Sequence, residues 1–122
     1  MLVQDIYLED WDWYAKIYYA VDTFYMSDII GELESIGCDY KTLHKIERDL
    51  TQNPYNNGLT YSNFNYRYSI VVIGLTNSPE EFQNTFDHEK GHLAMHIAET
   101  DYIDVFGEEF QYLTGMIGQK MF

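Results

Sequence analysis

The segment that most restricts the fold is the run from Ile70 to Ile73, the most apolar stretch of the chain. Four consecutive β-branched residues favour a strand, and a strand with no polar side to turn to water must be covered on both faces. We therefore expect one or two strands between Leu59 and Leu75, the last of them central or nearly central in its sheet.

The best-specified helix follows this run, in the segment "NSPEEFQNTFDHEKGHLAMHIA". Ser78 is a typical N-cap residue, Pro79 stands at the first helical position, and Glu81 completes a capping box. After a break near "ETDYID", apolar residues recur every three or four positions from Val105 to Met121. That spacing predicts a last helix.

The first half of the chain predicts one strand and two helices. Apolar residues alternate from Trp11 to Val21, which indicates a strand with one buried face: Trp11, Trp13, Ala15, Ile17, Tyr19 and Val21. Helical spacing and capping residues mark two further segments, Ser27 to Gly37 and Asp39 to Leu50. We expect a single α+β domain over residues 1–122, with a small, mostly antiparallel sheet packed on helices.

Charge and composition exclude several functional classes. The 122 residues include 20 acidic and 7 basic side chains, a net charge of −13, which repels a phosphate backbone and an anionic membrane surface. A single cysteine cannot form an internal disulfide, and no apolar run has the length of a membrane span. We expect a soluble, cytoplasmic protein with no nucleic-acid or membrane partner.

Three of the four histidines lie within nine positions of the predicted helix after the apolar run. His88, Glu89 and His92 form the pattern His-Glu-x-x-His. Side chains four apart on a helix lie on one face with Cβ atoms about 6 Å apart, so both imidazoles can bind one zinc ion. Glu89 lies beside such an ion and is placed to act as a general base.

The residues themselves leave the third ligand open. His96 continues the row, but it lies about 12 Å along the helix axis from His88, too far to join the same zinc. We expect His96 at the edge of a cleft or on the surface. Met95 and Ala98 stand where the metzincin pattern has glycine and histidine, so that subclass is excluded.

The segment from Tyr66 to Phe122 resembles the gluzincins, the thermolysin-like class of zinc peptidases, because "EEFQYLTG" follows the His-Glu-x-x-His helix. The resemblance implies that Glu108 is the third zinc ligand and that Gly115, seven positions later, marks a close approach of the two helices. Glu109, one step away, stays an alternative. An antiparallel return of the chain would bring Glu108 to the level of the metal. The pattern is also similar to small proteins of gut Bacteroides and their phages, in which a "GEE…YLTG"-like segment follows the zinc-site helix.

The implied activity is zinc-dependent peptide hydrolysis, with a zinc-activated water and with Glu89 as general base. A peptide or protein substrate would pair antiparallel with the strand Tyr68 to Leu75, and a tyrosine would polarise its carbonyl group. The candidates for that tyrosine are Tyr61, Tyr66 and Tyr68.

Two other functions stay open. One is a non-catalytic zinc-binding interaction protein, phage-encoded, in which His96 or Glu109 closes the site as fourth ligand. The other is a metal-free acidic binding module whose tyrosine-rich stretch is the contact surface.

Overall fold

The computed structural model describes residues 2–21, 25–53 and 55–121 and shows an α+β fold, which confirms the predicted class. A 3-10 turn, Glu9–Trp11, joins the first two strands. Within these ranges, no helix is both long enough and apolar enough to cross a membrane. The elements in chain order are β1 (Leu2–Leu8), β2 (Trp13–Val21), α1 (Met26–Ser35), α2 (Tyr40–Gln52), β3 (Gly58–Asn63), β4 (Tyr68–Gly74), α3 (Pro79–Asp101) and α4 (Glu108–Lys120).

The sheet has the order β1-β2-β4-β3. The outer pairs, β1 with β2 and β3 with β4, are antiparallel, and the central pair of β2 and β4 is parallel. The sheet is therefore mostly antiparallel, as predicted, and β4 is a central strand. The parallel pairing of β2 with β4 is possible because α1, α2 and β3 lie between them in the chain, and parallel strands need a long connection.

The apolar run in β4 is buried on both faces because helices cover the sheet on both sides. Ile70 and Val72 pack with the buried residues of α1 and α2. Val71 and Ile73 pack on the opposite face with the buried residues of α3 and α4. All four side chains are fully buried. This two-sided cover explains why the strand has no polar face.

Strand β2 keeps its predicted alternation only up to Tyr19. Four alternate residues face α3 and α4, as expected: Trp13, Ala15, Ile17 and Tyr19. Ala20 then has a positive φ of 57°, and the register with β4 shifts between Tyr18 and Val21. The irregularity turns Val21 to the other face, among the residues that pack with α1 and α2. The prediction for Val21 is wrong because one bulge reverses the alternation of side chains.

Helix α3 starts at the residue that the sequence predicts. Pro79 is its first residue, and the Ser78 hydroxyl accepts a hydrogen bond from the Glu81 N–H at 3.1 Å. The helix continues to Asp101 and ends where Tyr102 adopts a left-handed conformation with φ of 56°. Helix α4 begins at Glu108, later than predicted, and Phe106 lies before it, almost fully exposed.

Arg67, in the turn between β3 and β4, ties three segments together. Its guanidinium donates to both carboxylate oxygens of Asp101 at 2.9 and 2.8 Å, at the end of α3. It also donates to the backbone carbonyls of Trp11 and Asp12, just before β2, and lies 5.2 Å from the centroid of the Trp13 ring. The planar, five-donor geometry of arginine suits this set of contacts.

We expect Arg67→Lys to lower the free energy of unfolding by about 1–3 kcal/mol, because an ammonium group cannot form the paired bonds to Asp101 or the stack on Trp13. Arg48→Lys is the matched control: Arg48 lies 3.6 Å from Asp49 in an exposed pair, and its replacement should cost less than about 0.5 kcal/mol. Urea denaturation measures both. Equal losses would show that the contacts of Arg67 do not stabilise the fold.

Candidate metal centre

The structure brings His88 and His92 together on the exposed face of α3. Their Nε2 atoms are 3.1 Å apart, and both side chains are exposed. Two nitrogens bound tetrahedrally to one zinc at about 2.0–2.1 Å would lie about 3.3 Å from each other. The pair therefore needs almost no rearrangement to hold a zinc ion, and its donor atoms are of the type that zinc prefers.

The Glu89 side chain is directed towards the edge strand β3. It is only 4% exposed, and its Oε1 atom accepts a hydrogen bond from the Thr60 hydroxyl at 2.9 Å. Its Oε2 atom lies against Gly58, where an added Cβ would be 2.8 Å from that oxygen. A buried carboxylate is thus held in one position by a hydroxyl group on one side and a glycine on the other.

A cavity of about 270 Å³ opens beside these residues. Its lining is polar, with His88 and Glu89 as the groups capable of acid-base chemistry, and the full set is Asn56, Asn57, Gly58, Asn84, Thr85, His88 and Glu89. A larger depression of about 540 Å³ lies on the exposed face of α2, but no carboxylate lines it. The smaller cavity is therefore the better candidate for chemistry.

The structure does not bring Glu108 to the histidine pair. Helices α3 and α4 run antiparallel, and Lys90 Nζ lies 3.6 Å from the Cβ position of Gly118. Glu108 lies ten residues before Gly118, about 15 Å back along α4. It is therefore level with the end of α3, not with His92. Glu109, the alternative, lies towards the Asp101 end of α3: its carboxylate accepts from the Trp11 indole at 3.3 Å, and Arg67 donates to both the Trp11 carbonyl and Asp101.

Only two of the three expected ligands are thus together. In the ranges 2–21, 25–53 and 55–121, no group of three or more His, Cys, Asp or Glu side chains is close enough to hold a metal ion. The structure gives no support to Glu108 as a zinc ligand, and measurement of zinc in Glu108→Gln tests that assignment. Gly115 is exposed, and a Cβ there would meet nothing within 4 Å, so the close approach of α4 to Lys90 is at Gly118.

His96 is half-buried against the sheet. Its Nδ1 atom is 2.7 Å from the hydroxyl oxygen of Ser62 in β3. Burial lowers the pKa of His96 below its ordinary value, His92 lowers it further, and Glu99 opposes the change. Sequence reasoning missed Ser62. The signal was present, because Thr60 and Ser62 occupy alternate positions and so share one face of a strand that precedes the histidine helix.

The expected substrate strand is not available for pairing. Strand β4 is already paired on both sides, with β2 and with β3, so a peptide cannot pair with Tyr68 to Leu75 as predicted. The edge strand beside α3 is β3. Tyr61 and Tyr68 pack on the side of α1 and α2, across the sheet from the histidines, and Tyr66 is exposed in the turn after β3. Neither Tyr61 nor Tyr68 can polarise a carbonyl group at the candidate site.

Comparison with protein-family models, with curated proteins and with solved structures finds no match. The side chains of α3 at and beside its contact with β3 are therefore the basis for a functional proposal. They are an exposed imidazole pair, a buried carboxylate and a half-buried third imidazole.

We expect Gly58→Ala to destabilise the protein by about 1–3 kcal/mol and to displace Glu89, because the new methyl group would lie 2.8 Å from both the Glu89 carboxylate and the Val72 carbonyl oxygen. Gly91→Ala is the control. A Cβ at Gly91 meets nothing within 4 Å, and alanine should stabilise the middle of α3 by about 1 kcal/mol. Thermal denaturation of both variants measures the difference. A stabilised Gly58→Ala variant would contradict the packing described.

Proposed function

We propose that the protein is a zinc-dependent hydrolase of peptide bonds, with His88 and His92 as zinc ligands and Glu89 as general base. The observation that carries this proposal is the 3.1 Å separation of the two Nε2 atoms, next to the buried carboxylate of Glu89, the residue after His88. A zinc ion on this pair would supply a Lewis acid and would lower the pKa of water near it.

Glu89 would handle the proton. Its carboxylate lines the cavity beside His88 and is oriented by the Thr60 hydroxyl. A base in that position accepts a proton from the attacking water and returns it to the leaving amine, so that the carboxylate is restored at the end of each turnover. The hydrogen bond to Thr60 and the contact with Gly58 fix the side chain before substrate arrives.

The edge of β3 supports an extended peptide as the substrate. Among the described residues, no other strand of the sheet lies on its outer side, and Gly58 at its start lines the same cavity as His88 and Glu89. A peptide that adds to this edge by backbone hydrogen bonds would pass over the candidate site. The net charge of −13 disfavours a nucleic-acid substrate in the same place.

A non-catalytic zinc-binding interaction protein is the second candidate. The observation that favours it is the absence of a third ligand near the histidine pair among residues 2–21, 25–53 and 55–121. In this alternative, the ion would take its remaining ligands from a partner protein, and Glu89 would stabilise the contact of α3 with β3.

We expect the purified protein to bind about one zinc ion per chain through the imidazole pair. His92→Ala should abolish this binding, whereas His44→Ala, which changes an exposed histidine of α2, should not. Glu108→Gln should retain zinc, because Glu108 lies level with the other end of α3. Equilibrium dialysis followed by metal analysis gives all four values. Loss of zinc from Glu108→Gln would establish Glu108 as the third ligand, and failure of the wild type to take up zinc would end the proposal.

Glu89→Gln should keep zinc and lower the rate of peptide cleavage by about 10²- to 10⁴-fold, because the amide cannot accept the proton. Glu80→Gln, an exposed change in the first turn of the same helix, should leave the rate unchanged. The measurement is cleavage of a broad peptide library at matched zinc content. Equal rates for wild type and Glu89→Gln, or no cleavage by either, would favour the non-catalytic interaction protein.

A further inference from the structure

A chain of hydrogen bonds crosses the buried side of the sheet from β2 to α3. The Trp13 indole N–H donates to the Ser69 hydroxyl at 2.8 Å, and the Ser69 and Ser62 hydroxyl oxygens are 2.6 Å apart. The Ser62 hydroxyl in turn meets His96 Nδ1 at 2.7 Å. Trp13, Ser69 and Ser62 are all buried, so water does not compete for these bonds.

The indole fixes the direction of this chain. An indole N–H can only donate, so the Ser69 oxygen accepts from Trp13. Among the described residues, Ser69 has one other side-chain partner, Ser62, and its own hydrogen therefore goes there. Ser62 must then donate its hydrogen to His96 Nδ1. A neutral imidazole that accepts at Nδ1 carries its proton on Nε2.

The Nε2 atom of His96 takes no part in this chain of hydrogen bonds. Nδ1 is directed at buried Ser62, and Nε2 lies across the ring from it, with no hydrogen-bond partner in the part of the chain that the structure describes. His96 stands one helical turn beyond His92, and their ring centroids are 6.3 Å apart. The Phe64 ring lies 5.7 Å from the His96 ring and covers its flank.

We infer that the Trp13–Ser69–Ser62 chain holds His96 as the Nε2–H tautomer, and that this N–H donates a hydrogen bond to the carbonyl oxygen of a bound peptide. The second part rests on the proposed function. A donor fixed in place before the reaction stabilises the negative charge that develops on such an oxygen. His96 would touch the substrate, whereas Ser62, Ser69 and Trp13 are positioning residues.

The same chain explains why a third histidine in the row is not a third ligand. A zinc ligand must offer a bare lone pair, and Nε2 of His96 carries a proton in this tautomer. If that proton moved to Nδ1, Ser62 would have to accept from His96 and donate to Ser69, and Ser69 could no longer donate to Ser62. The Trp13 indole N–H can donate but cannot accept, so the Ser69 hydroxyl hydrogen would be left without a partner in the buried interior.

The tautomer is measured directly by long-range ¹H–¹⁵N NMR of the metal-free protein at about pH 8, well above the ordinary pKa of histidine. We expect His96 Nε2 to resonate as a protonated nitrogen and Nδ1 as a bare one. Ser62→Ala should shift His96 to a mixture of both tautomers, and Ser35→Ala, which changes an exposed hydroxyl, should not. A proton on Nδ1 in the wild type overturns the inference even if Ser62→Ala fails to fold.

The donor role is tested on zinc-loaded protein with acetohydroxamate, whose carbonyl oxygen imitates that of a substrate. His96→Phe keeps a ring beside Phe64 but removes the N–H, and it should weaken acetohydroxamate binding on the order of tenfold at unchanged zinc content. Equal affinity in both proteins, or no binding by zinc-loaded wild type, overturns the donor role. A wild type that takes up no zinc defeats the proposed function instead, while the NMR result still decides the tautomer.

Discussion

The burial of β4 on both faces is the constraint on which the rest of the structure depends. Ile70 to Ile73 are fully buried because α1 and α2 cover one face of the sheet and α3 and α4 cover the other. Helix α3 follows β4 closely in the chain and returns across the sheet face opposite α1 and α2. That course lays one side of α3 along the edge strand β3, which creates the candidate site.

Two polar contacts, one at Thr60 with Glu89 and one at Ser62 with His96, join the edge strand to the helix. Buried polar groups are costly unless they are paired, and no buried side-chain polar atom lacks a partner within residues 2–21, 25–53 and 55–121. The two contacts therefore fix both the rotation of α3 about its axis and its position along that axis relative to β3. With those set, the pair formed by His88 and His92 is left facing solvent.

The placement of α4 follows from the short connection that precedes it. When a short connection joins two antiparallel helices, the first residues of the second helix lie level with the last residues of the first. Residues in the middle of the first helix are level only with residues further along the second. Glu108, in the first turn of α4, is therefore level with the end of α3, and the residue level with His92 is closer to Met116, two residues before Gly118, which lies against Lys90. The gluzincin-like spacing alone does not determine which residues of α4 lie level with His92.

The sequence by itself determined the features that depend on neighbours a few residues apart: the cap at Ser78, the pairing of His88 with His92, and the apolar run that makes β4 central. Those follow from local hydrogen bonds, helical spacing and hydrophobic patterning. Only the tertiary structure decided that Ser62 meets His96 and that β2 and β4 are parallel. These contacts join segments remote in the chain, and the sheet order that brings them together depends on the packing of both helical layers, which no local pattern records.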